Sequence, residues 1–151
     1  MKQEFVDYLK SLGASSVVVE RVAIILGIYN ELIDNLDVKE IFVSEDLNRE
    51  NKREMRSVFF FTEDYIMEGT NFVSDTDLDI TYVINSVDYM RMQFKNYEPG
   101  KSATTESRFR VTGYFISELD FELRASAGNC EKLWKICHEI LMPNWAAKPE
   151  S

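Results

Sequence analysis

Glu118-Leu119-Asp120-Phe121-Glu122-Leu123-Arg124-Ala125 decides the fold class of this chain. Side chains on a β-strand point alternately to opposite faces. Here Leu119, Phe121, Leu123 and Ala125 share one face, and Glu118, Asp120, Glu122 and Arg124 share the other. Alternation this strict predicts an antiparallel sheet with one buried and one wet side, since an all-parallel sheet is covered on both. Upstream the pattern repeats. Phe109, Val111 and Phe115 oppose Arg108, Arg110, Thr112 and Tyr114, and Met90, Met92 and Phe94 oppose Arg91, Gln93 and Lys95. Leu78, Ile80, Tyr82 and Ile84 alternate with Asp79, Thr81 and Val83. Residues 55–62 carry Val58-Phe59-Phe60-Phe61, a dense run of β-formers, and Glu63-Asp64 turns the chain into Tyr65-Ile66-Met67. Residues 40–43 read as a short strand, followed by a charged connection over residues 44–54. Short turns such as Ser74-Asp75-Thr76-Asp77 and Asn85-Ser86 make sequential strands meander.

The two ends of the chain change period. Phe5, Tyr8, Leu9 and Leu12 recur at helical spacing and Gly13 stops the helix. Ser15 or Ser16 caps a second helix whose inner stripe is Val18, Val22, Ile25, Tyr29, Leu32 and Leu36. Val19, Ala23, Leu26 and Ile33 widen that stripe until the helix is too apolar for a solvated surface, so it packs on a sheet or a partner. Gly128 or Asn129 opens a last helix with Cys130, Leu133, Trp134, Cys137, Ile140 and Leu141 on one stripe, stopped at Pro143. The expectation is one α+β domain over 1–151. It comprises a helical hairpin (1–36), an antiparallel meander or half-barrel of about seven strands (38–126), a C-terminal amphipathic helix (129–142) and a tail (143–151).

A strand meander closed by one C-terminal amphipathic helix carrying Trp134 resembles the pleckstrin-homology-like barrel. The resemblance covers about residues 38 to 142 and leaves the N-terminal hairpin as an addition. It implies a helix capping one open end of a bent sheet. Phosphoinositide-binding members concentrate cations in the first hairpin. Here Arg49, Lys52, Arg53 and Arg56 are offset by Glu45, Asp46, Glu50 and Glu54. The resemblance therefore implies a protein-interaction module.

Composition excludes several classes of function. The chain has 151 residues, with 17 Lys plus Arg against 26 Asp plus Glu, a net charge of −9. Broad binding to nucleic acid or anionic membrane needs clustered cations, so neither is expected. The acids Glu4 and Asp7 interrupt any secretory leader, and the longest apolar run, residues 22–28, is far short of the ~20 residues that cross a bilayer. Cys130 and Cys137 stand two helical turns apart, about 10 Å along the axis, too far to bridge. Free thiols without an export signal predict a cytoplasmic protein.

Chemistry-bearing sets are incomplete. Cys137-His138 with Cys130 lacks the second ligand pair of a zinc site, and His138 lies about 100° round the helix from Cys137. Two buried thiols and a rim histidine are the simpler reading. Asp75, Asp77 and Asp79 begin like a calcium loop, but Ile80 and Val87 stand where that loop needs Gly and Glu. Gly100-Lys101-Ser102 lacks the upstream glycine of a phosphate loop. No catalytic residue, cofactor or metal is assigned.

Three functions remain as expectations. The first is a non-catalytic interaction module, self-associating through the second helix, with Glu118, Asp120, Glu122, Arg49, Lys52 and Arg53 as a further interaction surface. On the second, a small apolar ligand sits in a pocket lined by Phe59, Phe61, Ile80, Tyr82, Met92 and Phe94. On the third, the carboxylate row of the last strand is an acidic decoy for a nucleic-acid-binding protein. Arg108, Arg110 and Arg124 on neighbouring strands are expected to pair with that row.

Overall fold

A computed structural model describes residues 1–47, 53–70, 72, 79–84, 89–114 and 120–143, with backbone alone for Leu47, Arg53, residues 79–84, Tyr89 and Asp120. The protein is α+β, with helices at both ends and antiparallel sheets between them. Helix α1 (Gln3–Ser11) and helix α2 (Ser16–Leu32) form the N-terminal hairpin. Gly13 joins them at φ +88°, a conformation open to glycine at little cost, and the Ser15 hydroxyl caps α2 by accepting from the Val18 N–H.

Strands β1 (Glu40–Leu47), β2 (Arg53–Phe61), β3 (Tyr65–Thr70) and β4 (Asp79–Ile84) make a four-stranded sheet in chain order. Strands β5 (Tyr89–Lys95), β6 (Arg108–Tyr114) and β7 (Asp120–Ser126) make a second, three-stranded sheet. Helix α3 (Asn129–Ile136) follows β7 and widens into a π-helical turn over Cys137–Leu141. The meander is thus split into two sheets, and the PH-like barrel is not established by this topology.

Two cores explain the layering. Phe42 of β1, Phe59 and Phe61 of β2 and Ile66 of β3 join Phe109, Val111, Phe121 and Leu123 of the second sheet and the inner stripe of α3. On the other face, Ile41, Val43, Val58, Phe60 and Met67 pack beneath α1 and α2, against Phe5, Leu9, Val22, Ile25 and Tyr29. Over Ile41–Val43 and Val58–Phe61 the first sheet is therefore buried on both faces, contrary to the expectation of one wet side from the last strand. The continuous run Val58–Phe61 is the trace of it, since a strand buried on both faces has no place for polar residues. The second sheet alternates between core and solvent. Gly69 lets α2 settle on β3, because a Cβ there would lie 2.8 Å from Ile25 Cδ1. Tyr29 donates to the Glu68 carbonyl at 3.0 Å and Arg21 to that of Phe72 at 2.8 Å, fixing the helix to the sheet.

The charged connection expected over residues 44–54 is strand at both of its described ends, with β1 running to Leu47 and β2 starting at Arg53. Two of its polar residues, Ser44 and Glu45, are buried because they are bonded. Ser44 donates to the Glu122 carbonyl and accepts from the Arg124 N–H, stitching β1 to β7. Glu45 is buried and accepts from Ser126 Oγ at 2.7 Å and from Asn129 Nδ2. Asn129 also donates to the Val43 carbonyl and accepts from Tyr8 Oη, which itself accepts from the Val43 N–H. Asn129 and Glu45 together thereby tie α1, β1, β7 and α3 to one another. The pairing of β1 with β2 slips by one between Ser44–Ser57 and Glu45–Met55, leaving Arg56 as the extra residue of a β-bulge.

Leu32 differs from the sequence reading. It ends α2 on the solvent side, and Leu36 lies beyond the helix as a partly buried neighbour of the core.

Three substitutions test this packing. Asn129→Ala leaves buried partners unsatisfied and is expected to cost about 3 kcal/mol in urea denaturation, against about 1 kcal/mol for Tyr8→Phe. Gly113→Ala places a Cβ 2.3 Å from Cε1 and Cζ of Phe121. The ring must move, so the midpoint should fall by the equivalent of roughly 1–3 kcal/mol.

Candidate functional site

Helix α2 is apolar on two sides. Its buried set, Val18, Val22, Ile25, Leu26 and Tyr29, faces the first sheet. At about 100° per residue, Val17, Ile24 and Ile28 cluster roughly 120° away from that set. They are 54%, 53% and 36% exposed, and Leu32 extends the row at 72%. The row is roughly 22 Å long at the helical rise. Glu20 and Glu31 flank it, both exposed, and Gly27 lies at its margin with no atom within 4 Å of where a Cβ would stand. Sequence reasoning identified the excess apolarity of the helix but not these four side chains. The signal was there, in the apolar residues left over once the inner stripe is subtracted.

The outer face of the second sheet is built differently. Arg91, Gln93 and Lys95 on β5, Arg108, Arg110 and Thr112 on β6, and Glu122, Arg124 and Ser126 on β7 share it by strand parity. Glu122 is held by Arg110 at 2.5 Å, Arg124 at 3.0 Å and Arg56 at 3.6 Å. Asp46 meets Arg124 at 2.7 Å and Arg56 at 3.8 Å. Two carboxylates are thus shared among three guanidinium groups. The Arg124 guanidinium is held further in its charged form, chiefly by its hydrogen bond to Glu122, against an opposing push from burial. Its Nε is buried without a hydrogen-bond partner. A groove of about 590 Å³ opens over this face, bordered by Lys95, Arg108, Arg110 and Arg124, with Glu45 and Asp46 at one wall.

The expected interaction residues do not form one described surface. Glu118, Arg49 and Lys52 lie outside the described residues, and Asp120 and Arg53 are described by backbone alone. Glu122 is where the pairing with Arg110 and Arg124 was expected and found, while Arg108 instead donates to the Thr105 and Ser107 carbonyls. Of the six expected pocket residues, Phe59 and Phe61 are buried in the core and stack at 6.2 Å, and Met92 packs against that core. Phe94 alone borders the groove, 43% exposed and stacked on Phe109 at 4.5 Å. The side chains of Ile80 and Tyr82 lie outside the described set.

The remaining chemistry sorts by place. Cys130 and Cys137 are buried on the inner stripe while His138 is exposed, so the three do not converge. Lys101 pairs with Glu98 at 2.8 Å within its own turn. Asp75 and Asp77 lie outside the described residues, and Asp79 is described by backbone alone. Among the described residues no helix is long and apolar enough to cross a membrane.

Burial pushes the Cys137 thiol up to about 12, and a thiol held protonated is a poor nucleophile. Ellman's reagent at mildly alkaline pH is expected to label neither cysteine of the folded protein and both in denaturant. Rapid labelling of the native state would contradict the packing of α3. No protein-family model, no curated protein and no solved structure matches the chain.

Proposed function

We propose that the protein is a non-catalytic interaction module that associates through the outer face of α2, with a second copy of the chain as occupant. The row Val17, Ile24, Ile28 and Leu32, exposed along one helix, carries this reading. Arg21 falls in the same row but donates to the Phe72 carbonyl. Exposed apolar side chains aligned along a helix in this way mark interaction sites, and a two-fold axis through them sets the same row against itself. Gly27 supports the same reading. In mid-helix it costs about 1 kcal/mol relative to alanine, yet nothing in the chain fills the space beside it. That space suits the close approach of a partner helix.

The order of strands in two antiparallel sheets, with α3 packed on the core behind Trp134, supports a pleckstrin-homology-like architecture as the scaffold. On this proposal the N-terminal hairpin is an added binding element mounted outside the first sheet. Buried, unbridged Cys130 and Cys137 support a reducing compartment, the cytoplasm, as the place of action.

Sedimentation equilibrium tests the proposal. The wild type is expected to dimerise reversibly, and Ile24→Glu to remain monomeric with an unchanged melting temperature. Gly27→Ala separates a structural role from an interface role. It should stabilise the monomer by up to about 1 kcal/mol while weakening the dimer. A wild type that stays monomeric at high concentration would overturn the reading.

A further inference from the structure

We propose that the free edge of β5 accepts an extended acidic segment of another protein as an added strand, alternating carboxylate and apolar side chains. The second sheet runs β5-β6-β7, so β5 pairs with β6 on one side only. Among the described residues its other edge has no backbone partner. An open edge of seven residues is a template for strand addition.

The two faces of that edge state what the added strand must carry. On the outer face Arg91 and Lys95 are exposed, and among the described residues no carboxylate lies within 4 Å of either. They stand four residues apart, about 13 Å along the strand, and Lys95 borders the groove lined by Arg108 and Arg110. On the inner face Phe94 is 43% exposed, with its ring 6.3 Å from that of Trp134. A strand laid beside β5 would set its carboxylates opposite Arg91 and Lys95 and its apolar side chains over Phe94. Main-chain hydrogen bonds supply affinity in such a mode, and the alternate side chains supply specificity.

Charge decides between occupants. A second copy of β5 laid antiparallel about Gln93 would place Arg91 opposite Lys95 of its partner, and like charges directly opposite are destabilising. An acidic strand meets no such penalty. A single-stranded nucleic acid would satisfy the cations, but it leaves the backbone edge unpaired and does not explain Phe94. This surface lies on the second sheet and is independent of α2, so either proposal can fail alone.

The test is fluorescence anisotropy with a labelled peptide of alternating Glu and Val matched to the length of β5. Controls are the alternating Lys and Val peptide, a block peptide of the same composition, the alternating peptide with its central Val replaced by Pro, and poly(U). The alternating acidic peptide is expected to bind at least roughly tenfold more tightly than every control, a difference of about 1.4 kcal/mol. Binding should weaken with salt and fall at least tenfold in R91E/K95E. If that variant misfolds, amide chemical shifts of the wild type decide, with changes expected along β5. Equal binding of the block or proline peptide, shifts elsewhere than β5, or binding of poly(U) without the peptide would each overturn the proposal.

Discussion

Burial of β1 and β2 on both faces, over Ile41–Val43 and Val58–Phe61, is the constraint on which the rest of the molecule depends. Each residue of the run Val58–Phe61 has to be apolar, because alternate members enter different cores. Covering one face requires the helical hairpin, and covering the other requires the second sheet and α3. Full burial of a side chain such as Phe59 or Phe60 contributes roughly 1.5–3 kcal/mol. Neither core could therefore be given up within a net stability of about 5–15 kcal/mol. The hairpin is on this account an integral layer, although its outer surface is left over for other use.

Polar groups at the seams do the joining that packing alone would leave loose. Asn129 and Glu45 bond where α1, β1, β7 and α3 meet, and Ser44 links β1 to β7 outside any ladder. The charges are sorted as well. A chain of net charge −9 sets Arg56, Arg110 and Arg124 around Glu122 and Asp46 on a single face, so its local field there differs in sign from its average. Net charge bounds the class of partner for the whole surface but says little about one sheet face.

The parts of this structure legible in the sequence were those in which one periodicity holds over a whole element. The alternation through Phe121, Leu123 and Ala125 gave an antiparallel sheet, and the spacing of Val18, Val22 and Ile25 gave the inner side of α2. Ser44 and Glu45 misled because a buried polar residue looks like a loop residue until its partners, here 78 and more positions away, are known. The split into two sheets was hidden for a related reason, since an apolar run shows that both faces are covered but not what covers them. The α2 row could have been found by subtraction. The edge of β5 at Arg91 and Lys95, unpaired among the described residues, could not, because strand order is a property of the pairing and not of the strand.

The bulge at Arg56 has a consequence for how this chain can vary in length. By adding one residue to β2 it reverses the parity of what precedes it, so Met55 lies with the core beneath the helices while Arg56 reaches Asp46 and Glu122. Deleting Arg56 would leave Met55 opposite Glu45 and take away only the bulge and the cation that reaches Asp46 and Glu122, so here β2 can lose a residue without exchanging inside for outside. Substitutions there change single contacts. A change of length within the regular ladder at Val58–Phe61 would by contrast exchange inside for outside beyond it, so that stretch should tolerate variation in identity far better than insertion or deletion.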